Sequence, residues 1–221
     1  MEDFEKKDFE NQEADSIKDT TEAELHLENG EKGFSVWSEI FEWIKAIAIA
    51  LVVAFFLKNY VLTLAKVSGE SMEPTLQHAD RLYVNKIAYA PQKGDVVIFE
   101  PASAPGKPYI KRVIATEGDT IYIDFETGEV FVNDELIDEP YISEPTHLMG
   151  SYIGYLMNIG RYSKENPIKI EEGYFWAMGD NRNASKDSRE LGPIPEKELM
   201  GHAVFRFWPF NNVGKVDFDA E

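Results

Sequence analysis

Ser71 and Lys111 are the residues whose types and surroundings could do chemistry together. Ser71 stands in Val67-Ser68-Gly69-Glu70-Ser71-Met72-Glu73-Pro74-Thr75-Leu76, directly after an apolar stretch, and Lys111 stands forty residues on in Tyr109-Ile110-Lys111-Arg112-Val113. A serine hydroxyl becomes a useful nucleophile when a neighbouring base takes its proton. Free lysine, with a pKa near 10.4, is charged at neutral pH and is no base until burial strips it. Lowering it to ~7 takes about 4–5 kcal/mol, which a dry pocket can supply. Tyr109, Ile110, Val113 and Ile114 are apolar or aromatic neighbours, and Arg112 adds a cation that disfavours protonation further. On the opposite face of a strand, Arg112 is expected to stay in water. Such a pair beside a membrane-directed segment suggests a Ser/Lys hydrolase acting on peptide at a bilayer surface.

Each residue also has an ordinary reading. Lysines are common on exposed strand edges, and a serine near Pro74 is a usual turn residue. Gly69 permits backbone angles that would aim a hydroxyl and a backbone N–H at one point, which is what an oxyanion hole needs. A third segment, Gly179-Asp180-Asn181-Arg182-Asn183-Ala184-Ser185-Lys186-Asp187-Ser188-Arg189-Glu190-Leu191-Gly192, is too polar for a core. It reads as a loop pinned by its own hydrogen bonds and by an Asp187–Arg189 or an Asp180–Arg182 ion pair, with a solvated loop as the alternative. Asn183-Ala184-Ser185 matches a glycosylation acceptor, a triplet that often arises by accident.

Composition removes several other chemistries. There are no cysteines, so disulfides, thiolate catalysis and cysteine-held metals are excluded. His26, His78, His147 and His202 are scattered, without a His-Glu-x-x-His spacing, so neither a catalytic metal nor another cofactor is expected. The net charge is -18, of which residues 1–32 hold twelve Asp/Glu against four Lys. A polyanion without Lys/Arg clusters is a poor binder of nucleic acid.

Around the candidate residues the pattern is mainly β. Leu82, Val84 and Ile87 accompany a first strand, and Gly94-Asp95 turns into the buried run Val96–Phe99. A proline-rich loop leads to Tyr109–Thr116. Ile121, Ile123 and Phe125 alternate, Thr127-Gly128 turns, and Val130 and Val132 alternate back as a hairpin. Tyr174–Met178 reads as a buried strand, and in the last strand Val204, Arg206 and Trp208 alternate against Phe205 and Phe207. The class of residues 147–162, within the harder stretch 138–171, is left open.

Ala46 to Leu57 is a run of twelve apolar residues, resumed at Tyr60 to Ala65 after Lys58-Asn59. Spanning the hydrocarbon takes about 20 residues. Trp37, Trp43 and Tyr60 bracket the core as interface anchors, and Lys45 and Lys58 can snorkel outward. These features favour a spanning anchor over a buried or interfacial helix. The acidic start argues against a cleaved signal peptide. Lys32 and Lys45 before the core are balanced by Lys58 and Lys66 after it, so charge alone does not orient it.

Taken together, Ser71-Met72-x-Pro74-Thr75-Leu76, Gly94-Asp95-Val96-Val97-Ile98-Phe99, Tyr109-Ile110-Lys111-Arg112-Val113 through Gly118-Asp119, and Gly179-Asp180-Asn181-Arg182 through Ser185, Asp187-Ser188-Arg189 resemble the type I signal (leader) peptidases. The likeness runs over nearly all of residues 40 to 215. It implies an antiparallel β-sheet catalytic domain with a smaller β-rich insertion, behind one N-terminal transmembrane helix. The corresponding boundaries are an acidic mobile tail over 1–32, an anchor over 33–65, a peptidase domain over 66–215 with an insertion near 120–172, and a tail over 216–221. The implied activity is removal of signal peptides from preproteins at Ala-x-Ala sites by a single-pass enzyme of the cell membrane. Its catalytic domain would lie on the extracytoplasmic side, with the lipid bilayer and preproteins as partners and no nucleic acid or metal.

The resemblance also implies roles. Ser71 is the nucleophile and Lys111 the general base; Ser185 orients the lysine; Asp187 and Arg189 support the site. The Ser71 backbone N–H donates to the oxyanion, and Val67, Tyr109 and Ile110 line pockets for small side chains. Some relatives carry a hydroxyl two residues before the nucleophile. Gly69 occupies that position here, as in Gram-positive-like members, and Ser68 is the alternative hydroxyl. The long acidic N-terminus is not part of the family pattern. Two rivals remain: a self-cleaving repressor-like Ser/Lys protease, disfavoured by the membrane segment, and an inactive anchored scaffold, disfavoured by the complete set of catalytic residues.

Overall fold

The computed structural model describes residues 36–56, 62–87 and 89–216, and the chain divides into two units, Met1–Phe55 and Phe56–Glu221. In the first, helix α1 covers Val36–Phe56. Glu39, Glu42 and Lys45 interrupt its N-terminal half, with Lys45 donating to Glu42 at 2.9 Å, and an apolar run begins at Ala46. Among the described residues no helix is long and apolar enough to cross a membrane. The expected spanning anchor over 33–65 is therefore unsupported: three charges break the first half of α1, and its apolar run reaches the limit of the described residues. Positions 33–35, Lys58 and Tyr60 lie outside those residues, as do the acidic tail over 1–32 and positions 217–221.

The second unit is mainly β, as the sequence pattern indicates. In chain order its strands are β1 (Leu62–Lys66), β2 (Arg81–Asn85), β3 (Val96–Phe99), β4 (Tyr109–Ala115), β5 (Thr120–Asp124), β6 (Glu129–Val132), β7 (Glu135–Leu136), β8 (Ile168–Lys169), β9 (Tyr174–Met178), β10 (Ile194–Pro195), β11 (Leu199–Trp208) and β12 (Gly214–Lys215). Two short helices, α2 (Ser151–Asn158) and α3 (Ser188–Leu191), complete it. One antiparallel sheet has the order β1-β2-β11-β3-β4-β9-β10, with β12 added on β11. A second has the order β7-β6-β5-β8.

The residue types account for these placements. Val96, Val97, Ile98 and Phe99 are β-branched or aromatic and buried on both faces, which suits an interior strand. In β5 and β6 every second residue is buried, so Ile121, Ile123, Val130 and Val132 face a core shared with Ile153, Tyr162 and Trp176. A separate core joins Val67, Met72 and Leu76 to Leu82, Val84, Val96, Ile98, Ala203 and Val216. Met72 and Leu76 flank Ser71 and are essentially unexposed. Their burial contributes roughly 1.5–3 kcal/mol each and fastens the Ser71 turn to the sheet.

Three sequence expectations are corrected. Ile87 lies beyond the end of β2 and is exposed. Arg112 is buried rather than wet, because β4 is an interior strand covered on both faces. The alternation expected in β11 is broken by register shifts between Ala203 and Phe205 and between Arg206 and Trp208. Arg206 is consequently buried while Phe205 and Trp208 are exposed. The stretch left open by sequence contains helix α2, covering Ser151–Asn158.

Candidate active site

Ser71 sits in a turn between β1 and β2. The Glu73 N–H donates to Glu70 O at 3.0 Å and the Leu76 N–H to Met72 O at 2.8 Å. Gly69, with φ +96°, turns the chain into it, and its N–H donates to His78 Nδ1 at 3.2 Å. The turn is also held from the polar loop after β9. The Asn181 N–H donates to Ser71 O at 3.1 Å, and Asn181 Nδ2 donates to Glu70 O at 3.2 Å. Among the hydrogen bonds of the described residues the Ser71 N–H has no acceptor, so it is free to donate to a bound group.

Lys111 approaches from β4, where it pairs with Val97 of β3. Its Nζ lies 2.6 Å from Ser71 Oγ and donates to Ile110 O at 2.8 Å. The side chain is 4% exposed. Burial lowers its pKa to about 8; Asp187 and Asp180 pull it back up, and Arg189 pushes it down. The cation expected to help was Arg112, but it is committed elsewhere. Arg112 Nε and Nη2 reach the two oxygens of Asp180 at 2.9 and 2.7 Å, and Nη1 donates to Gly94 O at 2.7 Å. Of the two ion pairs expected in the polar loop, Asp187–Arg189 forms, whereas Asp180 pairs with Arg112 instead of Arg182.

Asp187 is fully buried. Its carboxylate accepts from Arg189 Nε at 2.9 Å, Arg189 Nη2 at 2.7 Å and the Gly179 N–H at 3.0 Å. Burial alone would push this carboxyl up, but the Arg189 hydrogen bonds and charge hold it below the usual range. Ser185 Oγ is buried and, among the described residues, makes no complete hydrogen bond to Lys111 or to any other group. It is close enough to Asp187 to favour the carboxylate without reaching hydrogen-bond geometry.

Some contributors carried no legible signal. Asn181 was one polar residue among many, yet it holds the Ser71 carbonyl. Arg182 donates to Gly179 O at 3.0 Å and pairs through both terminal nitrogens with Glu139, a residue of the unsettled stretch. His78 is apart in pattern from Gly69 and joins it only through the turn.

Beside the pair lies a cleft of about 750 Å³, lined by Val67, Ser68, Ser71, Tyr109, Ile110 and Lys111 among others. The three residues expected to contact substrate therefore share one surface with the dyad, and Ser68 is exposed on it. Chemically, a buried amine with a lowered pKa against a hydroxyl, beside an unused N–H and an apolar trough, can run acyl transfer on an extended chain.

The sequence pattern of the family described as "Signal peptidase, peptidase S26" matches residues 40–208. "Signal peptidase IB" of Staphylococcus aureus (strain MRSA252) is 37% identical over 189 residues, covering 83% of this chain and 96% of that protein. "Signal peptidase I" of Bacillus licheniformis is 36% identical over 191 residues, covering 85% and 98%. A crystal structure of a signal peptidase I from Enterococcus faecalis V583 matches 52% of this chain and 98% of that chain at 23% identity with a TM-score of 0.38.

Proposed function

The chain belongs to the signal peptidase family, peptidase S26, as a type I signal peptidase and serine endopeptidase, and from that premise we propose that it removes signal peptides from preproteins with Ser71 as nucleophile and Lys111 as general base. The observation that carries this reading is the 2.6 Å contact between Ser71 Oγ and an amine that is 4% exposed.

Once Lys111 has lost its proton, the direction of the contact reverses and the Ser71 O–H donates to Nζ. Oγ attacks the scissile carbonyl carbon, and the proton passes to Lys111. The oxyanion that forms accepts from the Ser71 N–H, which makes no hydrogen bond among the described residues. The Lys111 ammonium then protonates the leaving amine as the C–N bond breaks. Water, deprotonated by the same amine, clears the acyl-enzyme. The Ile110 carbonyl fixes the amine in a second direction, so the lone pair faces Oγ.

The substrate lies extended along the cleft beside β1, which is the edge strand of the larger sheet and offers backbone groups to an incoming strand. Val67, Tyr109 and Ile110 bound pockets for small residues of an Ala-x-Ala site before the scissile bond. Asp187 and Arg189 hold the loop that carries Ser185, whose unpaired hydroxyl is the group available to orient the amine. The domain boundaries follow the same reading: an acidic tail over 1–32, an anchor over 33–65, a peptidase domain with an insertion near 120–172 that runs from 66 to 216 rather than 215 because Val216 is buried in the core, and a tail over 217–221. The apolar side chains of α1, exposed along its length, attach the enzyme to the bilayer with the catalytic unit on the extracytoplasmic side. Membrane attachment concentrates the enzyme beside membrane-held substrates.

The test is cleavage of a preprotein bearing an Ala-x-Ala site by the wild type, Ser71→Ala and Lys111→Ala. Both variants are expected to lose processing, and undiminished cleavage by either defeats the dyad assignment. Exposure of the catalytic unit to protease added outside intact cells tests the orientation, which protection would overturn.

A further inference from the structure

The charged side chains lining the cleft run against the composition of the chain. The protein has 40 Asp/Glu and 22 Lys/Arg. Yet the charged residues on the cleft are Lys66, Lys86, Lys107, Lys111 and Lys186 with one acid, Glu70. Lys111 is the proposed base, and Lys186 is paired with Glu190 at 2.8 Å. Lys66, Lys86 and Lys107 are exposed and take part in no ion pair among the described residues.

Two of these cations lie on the same side of the dyad. From Lys111 the β4 wall leads through Ile110 and Tyr109 to Lys107, four residues away, or about 13 Å of extended chain. Across the sheet, Asn85 is level with His202, Val97 and Lys111 by register, and Lys86 follows Asn85. Lys86 thus lies beyond the dyad in the same direction, on the β2 side. By the same register Lys86 is level with Ile110, and Tyr109 lies between Lys111 and Lys107, so the pocket residues and the two lysines share one flank of the dyad. A peptide whose small residues fill those pockets therefore carries its upstream part towards Lys86 and Lys107.

We infer that Lys86 and Lys107 select substrates with an acidic side chain about four to six residues upstream of the scissile bond. This rests on the proposed peptidase reading and adds a charge preference to it. Exposed pairs of opposite charge are individually weak and screened by salt, so the preference is modest and salt-dependent. An anionic lipid headgroup would present the same negative charge to these lysines, and the experiment separates the two sources.

Three peptides with one Ala-x-Ala core and Asp, Asn or Lys five residues upstream are cleaved by the full chain in uncharged detergent at low salt. The expected order of kcat/KM is Asp over Asn over Lys, about threefold to tenfold between the extremes and carried by KM. The gap closes in about 0.5 M salt, within a Debye length of a few ångströms. Lys86→Glu/Lys107→Glu is expected to invert the order, and Lys86→Gln/Lys107→Gln to flatten it. Equal cleavage of the three peptides by the wild type, or an order unchanged in both variants, overturns the proposal. Loss of binding to phosphatidylglycerol vesicles in the variants, with the three peptides cleaved alike, assigns the lysines to lipid and also overturns it. Wild-type cleavage of the Asn peptide that persists in Ser71→Ala overturns the dyad instead, so the two failures are distinct.

Discussion

The α-carbon of Gly179 is pressed against the hydroxyl of Ser185: a Cβ built on Gly179 would lie 2.3 Å from Ser185 Oγ and 2.4 Å from Ser71 O. No side chain fits between the loop that carries Ser185 and the turn that carries Ser71. The residue is glycine for lack of room rather than for unusual dihedral angles.

Gly179→Ala is therefore expected to displace the Ser71 turn by the fraction of an ångström to which acyl transfer is most sensitive. A loss of about 100-fold in kcat is predicted, with far-ultraviolet circular dichroism little changed. Retention of more than a tenth of the activity would show that the turn tolerates the shift.

The pH profile follows from Lys111. In the proposed mechanism the neutral amine is the active form, so kcat/KM is expected to rise tenfold per pH unit below about 8 and to level off above it. Asp187 raises this pKa, so the residual activity of Asp187→Asn is expected to show a midpoint displaced to lower pH. A midpoint that stays in place or moves up excludes the electrostatic coupling.

Stability should move the opposite way from activity at the same residue. Folding lowers the Lys111 pKa from its ordinary value of 10.5 to about 8. Between those values the unfolded chain holds a proton that the folded one has lost, so stability rises with pH there. Below pH 8 the whole penalty is present. Lys111→Met is thus expected to be inactive yet more stable at pH 7 by up to about 3 kcal/mol, and the advantage should shrink between pH 8 and 10.5. Denaturant unfolding at pH 7 and pH 10 measures both, and a destabilised variant contradicts the desolvation account.

Removing the Asp187 carboxylate leaves Arg189 buried without its counterion. Asp187→Ala is expected to cost about 3–5 kcal/mol, read as a lower unfolding midpoint. Unchanged thermal stability would mean that Arg189 finds water or another acceptor.

Ala79 carries φ +73° in the turn where its N–H donates to Val67 O at 3.0 Å. A side chain in the left-handed region costs roughly 1 kcal/mol, and glycine avoids it. Ala79→Gly is expected to stabilise the protein by about 0.5–1 kcal/mol at unaltered pH dependence. A destabilised variant would show that glycine's greater freedom in the unfolded chain outweighs the relieved strain.

The sequence made the fold class legible because the strands announce themselves locally. Val96–Phe99 and the 121–132 hairpin carry their burial in residue order, and the structure follows. The Ser71–Lys111 contact was legible through four short blocks whose joint order resembles one family. The fate of Arg112 was not, since its burial depends on Asp180 arriving from 68 residues away. The bulges of β11 at Ala203/Phe205 and Arg206/Trp208 belong to its pairing with β2, which no alternation within one strand records. Glu139 lay in a stretch without periodicity, and its partner Arg182 is defined by the tertiary fold alone.

In the proposed mechanism the nucleophile rides on a turn after β1 and the base on β4, and a single 2.6 Å contact between them closes the reactive pair. The consequence is one of timing. A nascent chain whose sheet has not yet assembled carries a harmless alcohol and an ordinary charged amine, and so has no cutting power over its neighbours. Competence arrives together with the finished architecture.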